Sequence, residues 1–265
     1  MVNRQTIMRM REILTPSFKE LRRELGIPER RRPMVEECRA DDSDFCQEVV
    51  RRGWLTEEQM HHAAERYQLG KSRSGRCIFW MIDRQGRVRD GHIGDQWVSE
   101  MLKARAPQLL GHWHAEHCLF GLVLTDNVKI QKCKNATTAV VESERTDNVK
   151  MQKCKNATIA VVESERSAVI LSELFPEHLW MASVYPANLS ARLLEPLKGC
   201  QVTLFPRTDE DGETFLAWLA VAEEARREYG LDVTVSSILE DNATEEQKAR
   251  HIDLVDFLFE HGSHG

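Results

Sequence analysis

Glu163 closes an apolar tetrapeptide, Ile159-Ala160-Val161-Val162, and the stretch from about Ser167 spaces Val169, Ile170, Leu174 and Phe175 along a helix. A carboxylate at the carboxyl end of a buried strand, just ahead of a helix, sits where open α/β sheets hold their ligands. Asp209 and Asp211 follow a second apolar strand, Val202 to Phe205, and lead through Gly212 into a helix over 213–229. If the two strands run parallel, both loops leave the sheet at one edge and the three carboxylates converge. Convergent hard oxygen ligands with open positions are what Mg²⁺ needs to hold a phosphate. The competing reading is a solvated acidic turn, and spacing alone favours it.

A second group of chemistry-bearing residues lies in HWHAEHC: His112, His114, His117 and Cys118. His114 and His117 stand three apart, and Cys118 is a soft ligand of the kind zinc accepts. No second Cys/His pair falls at finger-like spacing, and Cys38 and Cys46 are separated by seven residues. The cluster is read as incidental and zinc is not expected. Seven cysteines without regular spacing do not form a disulfide framework, so free thiols in a reducing compartment are expected.

The elements that must position these groups follow from periodicity and punctuation. Residues 1–70 read as a helical, basic N-terminal region. In it SFKELRREL is one helix, GIPERRRP a linker, and Ser43 or Asp44 a cap for the helix that ends near Gly53. Thr56 to Gln59 form a capping box for a helix that Gly70 stops. Residues 71–124 read as a β-hairpin plus helix: CIFWMID and RVRDGHIG flank Arg84-Gln85-Gly86, a helix opens at Asp95, and HCLFGLVL forms a short buried strand. Phe79 and Trp80 alternate across the hairpin, where packing is the commoner use than stacking on a base. From 146 to 265 the order is strand, helix, strand, strand, helix, strand, helix, which predicts an α/β domain with a parallel sheet covered by helices. A second capping box at Thr244 precedes the closing helix.

Residues 125–145 and 146–166 are a direct tandem duplication, differing only at Ile130/Met151 and Thr138/Ile159. Two near-identical copies are too few for a solenoid. The second copy alone runs into an amphipathic helix, and its strand is more apolar, so it is assigned to the central strand and 125–145 to an insert.

Among 265 residues 42% are hydrophobic and 29% charged, as in a globular protein. No apolar run approaches the roughly 18 residues of a membrane span, and MVNRQTIMRMREIL lacks the apolar core of a secretory signal. A cytoplasmic protein without a membrane partner is expected. The net charge of −6 hides a basic arm: residues 1–32 carry nine Arg/Lys against four Glu. Such an arm tracks phosphates or is simply a solvated helix face.

VVESE at a strand end, a second strand ending in an Asp-x-Asp-x-x-Gly-like loop, and the spacing between them resemble a toprim domain, the nucleotidyl-transfer and hydrolysis module of primases and topoisomerases. From CIFWMIDRQGRVRDG through EHCLFGL, VVESERSAVILSELFPEHLW and VTLFP to IDLVDFLFE, the chain is similar to toprim-like proteins of bacterial genomes and mobile elements. The resemblance implies that Glu163 is the acid/base glutamate and Asp209 the second aspartate of the metal pair. It also implies that Gly212 turns the loop into its helix and that Asp253 and Asp256 lie in a carboxylate-bearing segment after the core. Mg²⁺ (or Mn²⁺) and DNA are the implied cofactor and partner, with replication or mobilisation proteins alongside. The chain departs from the family in three places. Arg207 replaces the first aspartate, exchanging a ligand for a permanent cation that repels Mg²⁺ but binds phosphate; Asp211 would then substitute as a ligand, and Arg166 joins Arg207 as a nucleic-acid contact. ASVYPANLS lacks the expected glycine turn, and the duplication abuts the catalytic strand. Two functions therefore stand at this point: primase-like, Mg-dependent nucleotidyl transfer, or a DNA-binding accessory of a mobile element that keeps the fold without a full metal site.

Overall fold

The computed structural model describes residues 32–105, 117–125, 158–185 and 189–261. Arg4 to Arg31 of the basic arm, His112, His114 and nearly all of the first repeat copy lie outside the described residues. Helix α1 (Arg32–Cys38) begins inside the stretch expected to be a linker. Pro33 falls in its first turn, where a missing amide is tolerated.

Ser43 and Thr56 start α2 (Asp44–Arg51) and α3 (Glu57–Tyr67) as their hydroxyls predict. Ser43 accepts the Cys46 amide, and Thr56 and Gln59 exchange the two bonds of a capping box. Helix α3 ends earlier than the sequence suggests, because Gln68 takes the left-handed conformation and frees Gly70 to begin β1 (Gly70–Lys71). β1 pairs antiparallel with β2 (Cys77–Ile82), β2 with β3 (Val88–Ile93), and β3 with β4 (Gln96–Trp97). Every residue of β2 is buried, Phe79 and Trp80 included, so neither ring faces solvent. The sequence places Gln96 and Trp97 in a helix; they form β4 instead. Gly94 turns the chain at φ 67°, and α4 (Val98–Arg105) starts where the buried Asp90 carboxylate accepts the Ser99 amide.

HCLFGLVL is not a strand. Phe120 makes only an isolated antiparallel bridge to Ala182, and Gly121 then turns at φ 82°. A Cβ on Gly121 would stand 2.9 Å from the Trp180 carbonyl oxygen, so this close approach requires glycine. Phe120 is fully buried, stacked on Tyr67 and edge-on to Phe79. It joins the helical region, the antiparallel sheet and the parallel sheet.

The parallel sheet has the order β6-β5-β7-β8, formed by β5 (Thr158–Val162), β6 (Leu179–Ala182), β7 (Gln201–Leu204) and β8 (Asp232–Val235). β5 is paired on both sides from its first residues despite the adjacent duplication. Its side chains alternate between two cores. Ala160 and Val162 face α3, the antiparallel sheet, α5 (Glu165–Leu174) and α10 (Leu254–His261). Ile159 and Val161 face α6 (Ala191–Leu194) and α7 (Glu213–Tyr229), where Trp218, Ala222 and Ala225 are buried. The architecture is therefore mixed α/β, a parallel four-stranded sheet with helices on both faces. Short helices α8 (Ile238–Asn242) and α9 (Glu245–Ala249) connect β8 to α10, and the capping box at Thr244 is present. Among the described residues no helix is long and apolar enough to cross a membrane.

Because β5 comes wholly from the second copy, the two possible deletions of one repeat differ mainly at one core position. Removing 125–145 keeps Ile159, which is fully buried; removing 146–166 puts Thr138 in its place and buries a hydroxyl. Loop closure changes only logarithmically with length, by about 1 kcal/mol or less. In urea unfolding, the first deletion is expected to match the full chain to about that amount. The second is expected to be less stable than the first by roughly 2 kcal/mol.

Candidate functional site at the sheet switch point

The chain leaves β5 toward β6 on one side, then crosses back to β7 on the other. The crevice outside the carboxyl ends of β5 and β7 is thus the topological switch point, the usual ligand position of an open α/β sheet. Glu163 follows β5 directly. Phe205 still bonds back to the Val161 carbonyl, and Pro206, which has no amide, ends the ladder. Arg207 is thereby delivered opposite Glu163, its Nε 3.4 Å from Oε2. Both atoms are buried and neither makes a well-aligned hydrogen bond, so the contact is an ion pair at less than full strength.

Burial pushes the Glu163 carboxyl up to about 7; the Arg207 charge opposes this, and the charges of Asp253 and Glu165 add to it. Asp253 arrives on the segment before α10. The Thr208 amide bonds the Ile252 carbonyl, and Ser167 donates to the Asp253 carboxylate. Asp256 lies in the same segment and is also held above the ordinary range, by burial and then by Asp253. The sequence placed this carboxylate-bearing segment after the core, and the structure brings Asp253 beside Glu163.

The remaining sequence-derived residues are placed differently. Asp209 is buried and turned toward α7, where its two oxygens accept the Glu213 amide at 2.7 Å and the Thr214 amide at 2.9 Å. Burial raises its carboxyl, but these amides outweigh burial and hold it below the usual range. It caps a 17-residue helix whose own N-cap, Gly212, has no side chain to offer. Asp211 is exposed. Arg166 is exposed, in the first turn of α5, with its guanidinium 5.3 Å above the Phe45 ring. Glu163, Asp209 and Asp211 therefore do not fit a hard divalent ion as arranged, since one carboxylate faces an arginine, one caps a helix and one faces solvent. Among the described residues no group of three or more His, Cys, Asp or Glu is disposed to hold a metal.

The turn after β6 closes the site from the far side. Val184 donates its amide to the Glu163 carbonyl at 2.8 Å while holding φ 77°. That conformation is a genuine outlier for a β-branched residue and costs on the order of 1–2 kcal/mol. Glycine is absent here from the sequence, and valine carries the strain.

Sequence reasoning missed a chain of three groups beside this site, two of them, His92 and Glu165, buried and Tyr185 half-buried. His92 Nδ1 lies 2.7 Å from Glu165 Oε1, off the best hydrogen-bond line, and its Nε2 lies 2.8 Å from the Tyr185 hydroxyl. Glu165 comes from the first turn of α5, His92 from β3, and Tyr185 from the turn after β6. The only signal in the sequence was an ionisable residue, His92, in a strand paired with CIFWMI.

Two measurements check this description. The folded Glu163 carboxyl is raised above its unfolded value near 4.5, so the native state holds more protons between pH 4.5 and 7 and stability falls as pH rises through that window. Compared by thermal melts, Glu163→Gln is expected to gain on the unmodified chain by about 1–3 kcal/mol between pH 5 and pH 8. Asp209→Ala is expected to lose about 1–2 kcal/mol in urea, and Asp209→Asn, whose one carbonyl oxygen can accept one of the two amides, to recover part of it.

No curated protein matches the chain. A crystal structure of the Aquifex aeolicus primase, comprising zinc-binding and RNA polymerase domains, aligns at a TM-score of 0.38 with 14% identity. The alignment covers 98% of this chain and 62% of that one, so the chain spans less than two thirds of that structure's length. The model of the family described as Domain of unknown function (DUF6371) matches residues 43–150 and 148–208, two segments that overlap at 148–150, within the second repeat copy. Together they take in both sheets' strands up to β7 and more than half of the chain, and the protein therefore belongs to this DUF6371 family.

Proposed function

We propose that this is a toprim-like, nucleic-acid-binding protein whose switch-point site works through an arginine rather than through a metal. The observation that carries the reading is the Arg207–Glu163 pair. A permanent cation stands at the strand end where a phosphate would approach, and it is only loosely engaged by a carboxyl that is half neutralised near pH 7. An incoming phosphodiester offers Arg207 two well-aligned oxygens in exchange for one poor contact. Arg166, exposed at the start of α5, supplies a second contact along a strand. This is the accessory role, of the kind the resemblance associates with mobile elements, and the chain's division into a basic N-terminal region, a hairpin region, an insert and an α/β domain belongs to the same reading.

A second reading has one observation in its favour. A carboxyl held near 7 at a ligand crevice is tuned for proton transfer at neutral pH. In that case Glu163 is the acid/base of a primase-like nucleotidyl transfer, with Mg²⁺ or Mn²⁺ recruited by Asp209 and Asp211 only after they move.

Fluorescence anisotropy with a labelled single-stranded oligonucleotide separates the two. The arginine reading predicts binding unaffected by Mg²⁺ and weakened by salt. It also predicts that Arg207→Ala weakens binding several-fold and reduces the log–log salt slope by about 0.7, one phosphate's worth for a single strand. Binding that requires Mg²⁺, or that strengthens with Mg²⁺ in Arg207→Asp, would overturn it. Nucleotide incorporation that needs Mg²⁺ and is lost in Glu163→Gln would establish the second reading.

A further inference from the structure

A cleft of about 570 Å³ lies between the antiparallel sheet and the carboxyl edge of the parallel sheet, a volume that suits a small ligand. Four carboxylates line it: Asp44, Glu48, Glu163 and Glu165. Each already has partners. Asp44 accepts the Phe45 and Cys77 amides, Glu48 is paired with Arg51 and Arg52, Glu163 faces Arg207, and Glu165 faces His92. The cleft's two arginines are the opposite case. Arg76 and Arg166 line it, both are exposed, and among the described residues neither forms an ion pair. Arg76 lies across the Gly94 turn so closely that a Cβ there would meet its guanidinium, which places this charge at the cleft by backbone shape. Arg166 is positioned over Phe45. Among the described residues these two arginines are the charged groups of the lining whose side chains hold neither an ion pair nor a hydrogen bond, and so are open to a new anionic partner.

Two further features suit an anion. The cleft is lined by Ser164, Glu165 and Arg166, the start of the ten-residue helix α5, and that start has no side-chain cap. His92 stands 2.7 Å from the Glu165 carboxylate and holds the Tyr185 hydroxyl at the cleft's edge through its other ring nitrogen. Phe45 and Tyr185 add aromatic surface to the lining, which suits a base.

We infer that this cleft binds the phosphate of a nucleotide between Arg76 and Arg166, at the open start of α5. It deepens the nucleic-acid reading above by adding Arg76 and the antiparallel sheet to the ligand surface. The phosphate can come from a free nucleotide or from a strand, and two probes distinguish these sources. The full chain is titrated with adenosine monophosphate by calorimetry and with a 5′-labelled thymidine dodecamer by anisotropy.

Expected is at least a fivefold loss of affinity for the bound probe in Arg76→Ala and in Arg166→Ala, with melting temperatures unchanged because both side chains are exposed. Arg76→Lys is expected to recover part of the loss, and Arg192→Ala, outside the cleft, to change nothing. Mononucleotide binding that depends on both arginines without any oligonucleotide binding would support the cleft and remove the nucleic-acid reading. Oligonucleotide binding that ignores Arg76→Ala and Arg166→Ala would overturn the cleft and leave that reading standing. Absence of binding to either probe would overturn the inference.

Discussion

β5 is hydrogen-bonded on both sides and buried on both faces, and nearly every other element takes its place from that constraint. With neighbours β6 and β7 in parallel register, its carboxyl end opens at the switch point and Glu163 is the first residue beyond it. The two faces of β5 then divide the molecule: small Ala160 with Val162 accept the helical region and the antiparallel sheet, while Ile159 with Val161 accept α7. A strand so placed can only be apolar throughout, since a polar group on either face would lack a partner. This is the physical basis for preferring the isoleucine-bearing copy of the duplicated segment.

The crevice beside β5 gathers carboxylates, and the structure manages their repulsion by giving each a different partner. Asp209 is taken up by amides, Glu165 by an imidazole, Asp253 by the Ser167 hydroxyl and Glu163 by a guanidinium. The partners differ in strength, and the groups respond accordingly. Two aligned amides outweigh burial at Asp209, whereas one poorly aligned arginine does not at Glu163. A buried carboxyl with a weak partner is the costly member of such a set. The strained Val184, bonded to the Glu163 carbonyl, is a second local cost at the same point. Strain at Val184 and desolvation at Glu163 meet through one hydrogen bond, a combination common where proteins bind or react.

The cleft exists because two sheets share one core face without closing against each other at their edges. Phe120, bridged to Ala182 and stacked on Tyr67, fixes the separation. The Tyr67 hydroxyl, which donates to the Trp180 carbonyl at 2.8 Å, fixes the orientation of α3 on the parallel sheet. The N-terminal helices and the hairpin thus supply one wall of the cleft, and the α/β unit alone would not form it.

Most of the elements, and a parallel sheet covered by helices, were legible along the chain. Hydroxyl caps at Ser43, Thr56 and Thr244, the Gly86 hairpin tip, and the bounds of α7 all follow from local chemistry that acts within a few residues. The sequence also singled out Glu163 and the loop containing Asp209. Local rules failed where a long-range partner decided the outcome: Gln96 and Trp97 became a strand because β3 lay alongside, and Phe120 became a bridge because Gly121 had to pass the Trp180 carbonyl. What each carboxylate does depends on packing between distant elements. Spacing cannot tell a ligand from a helix cap at Asp209, nor show that His92, Glu165 and Tyr185 meet, because side-chain direction and burial depend on elements that pack from distant parts of the chain.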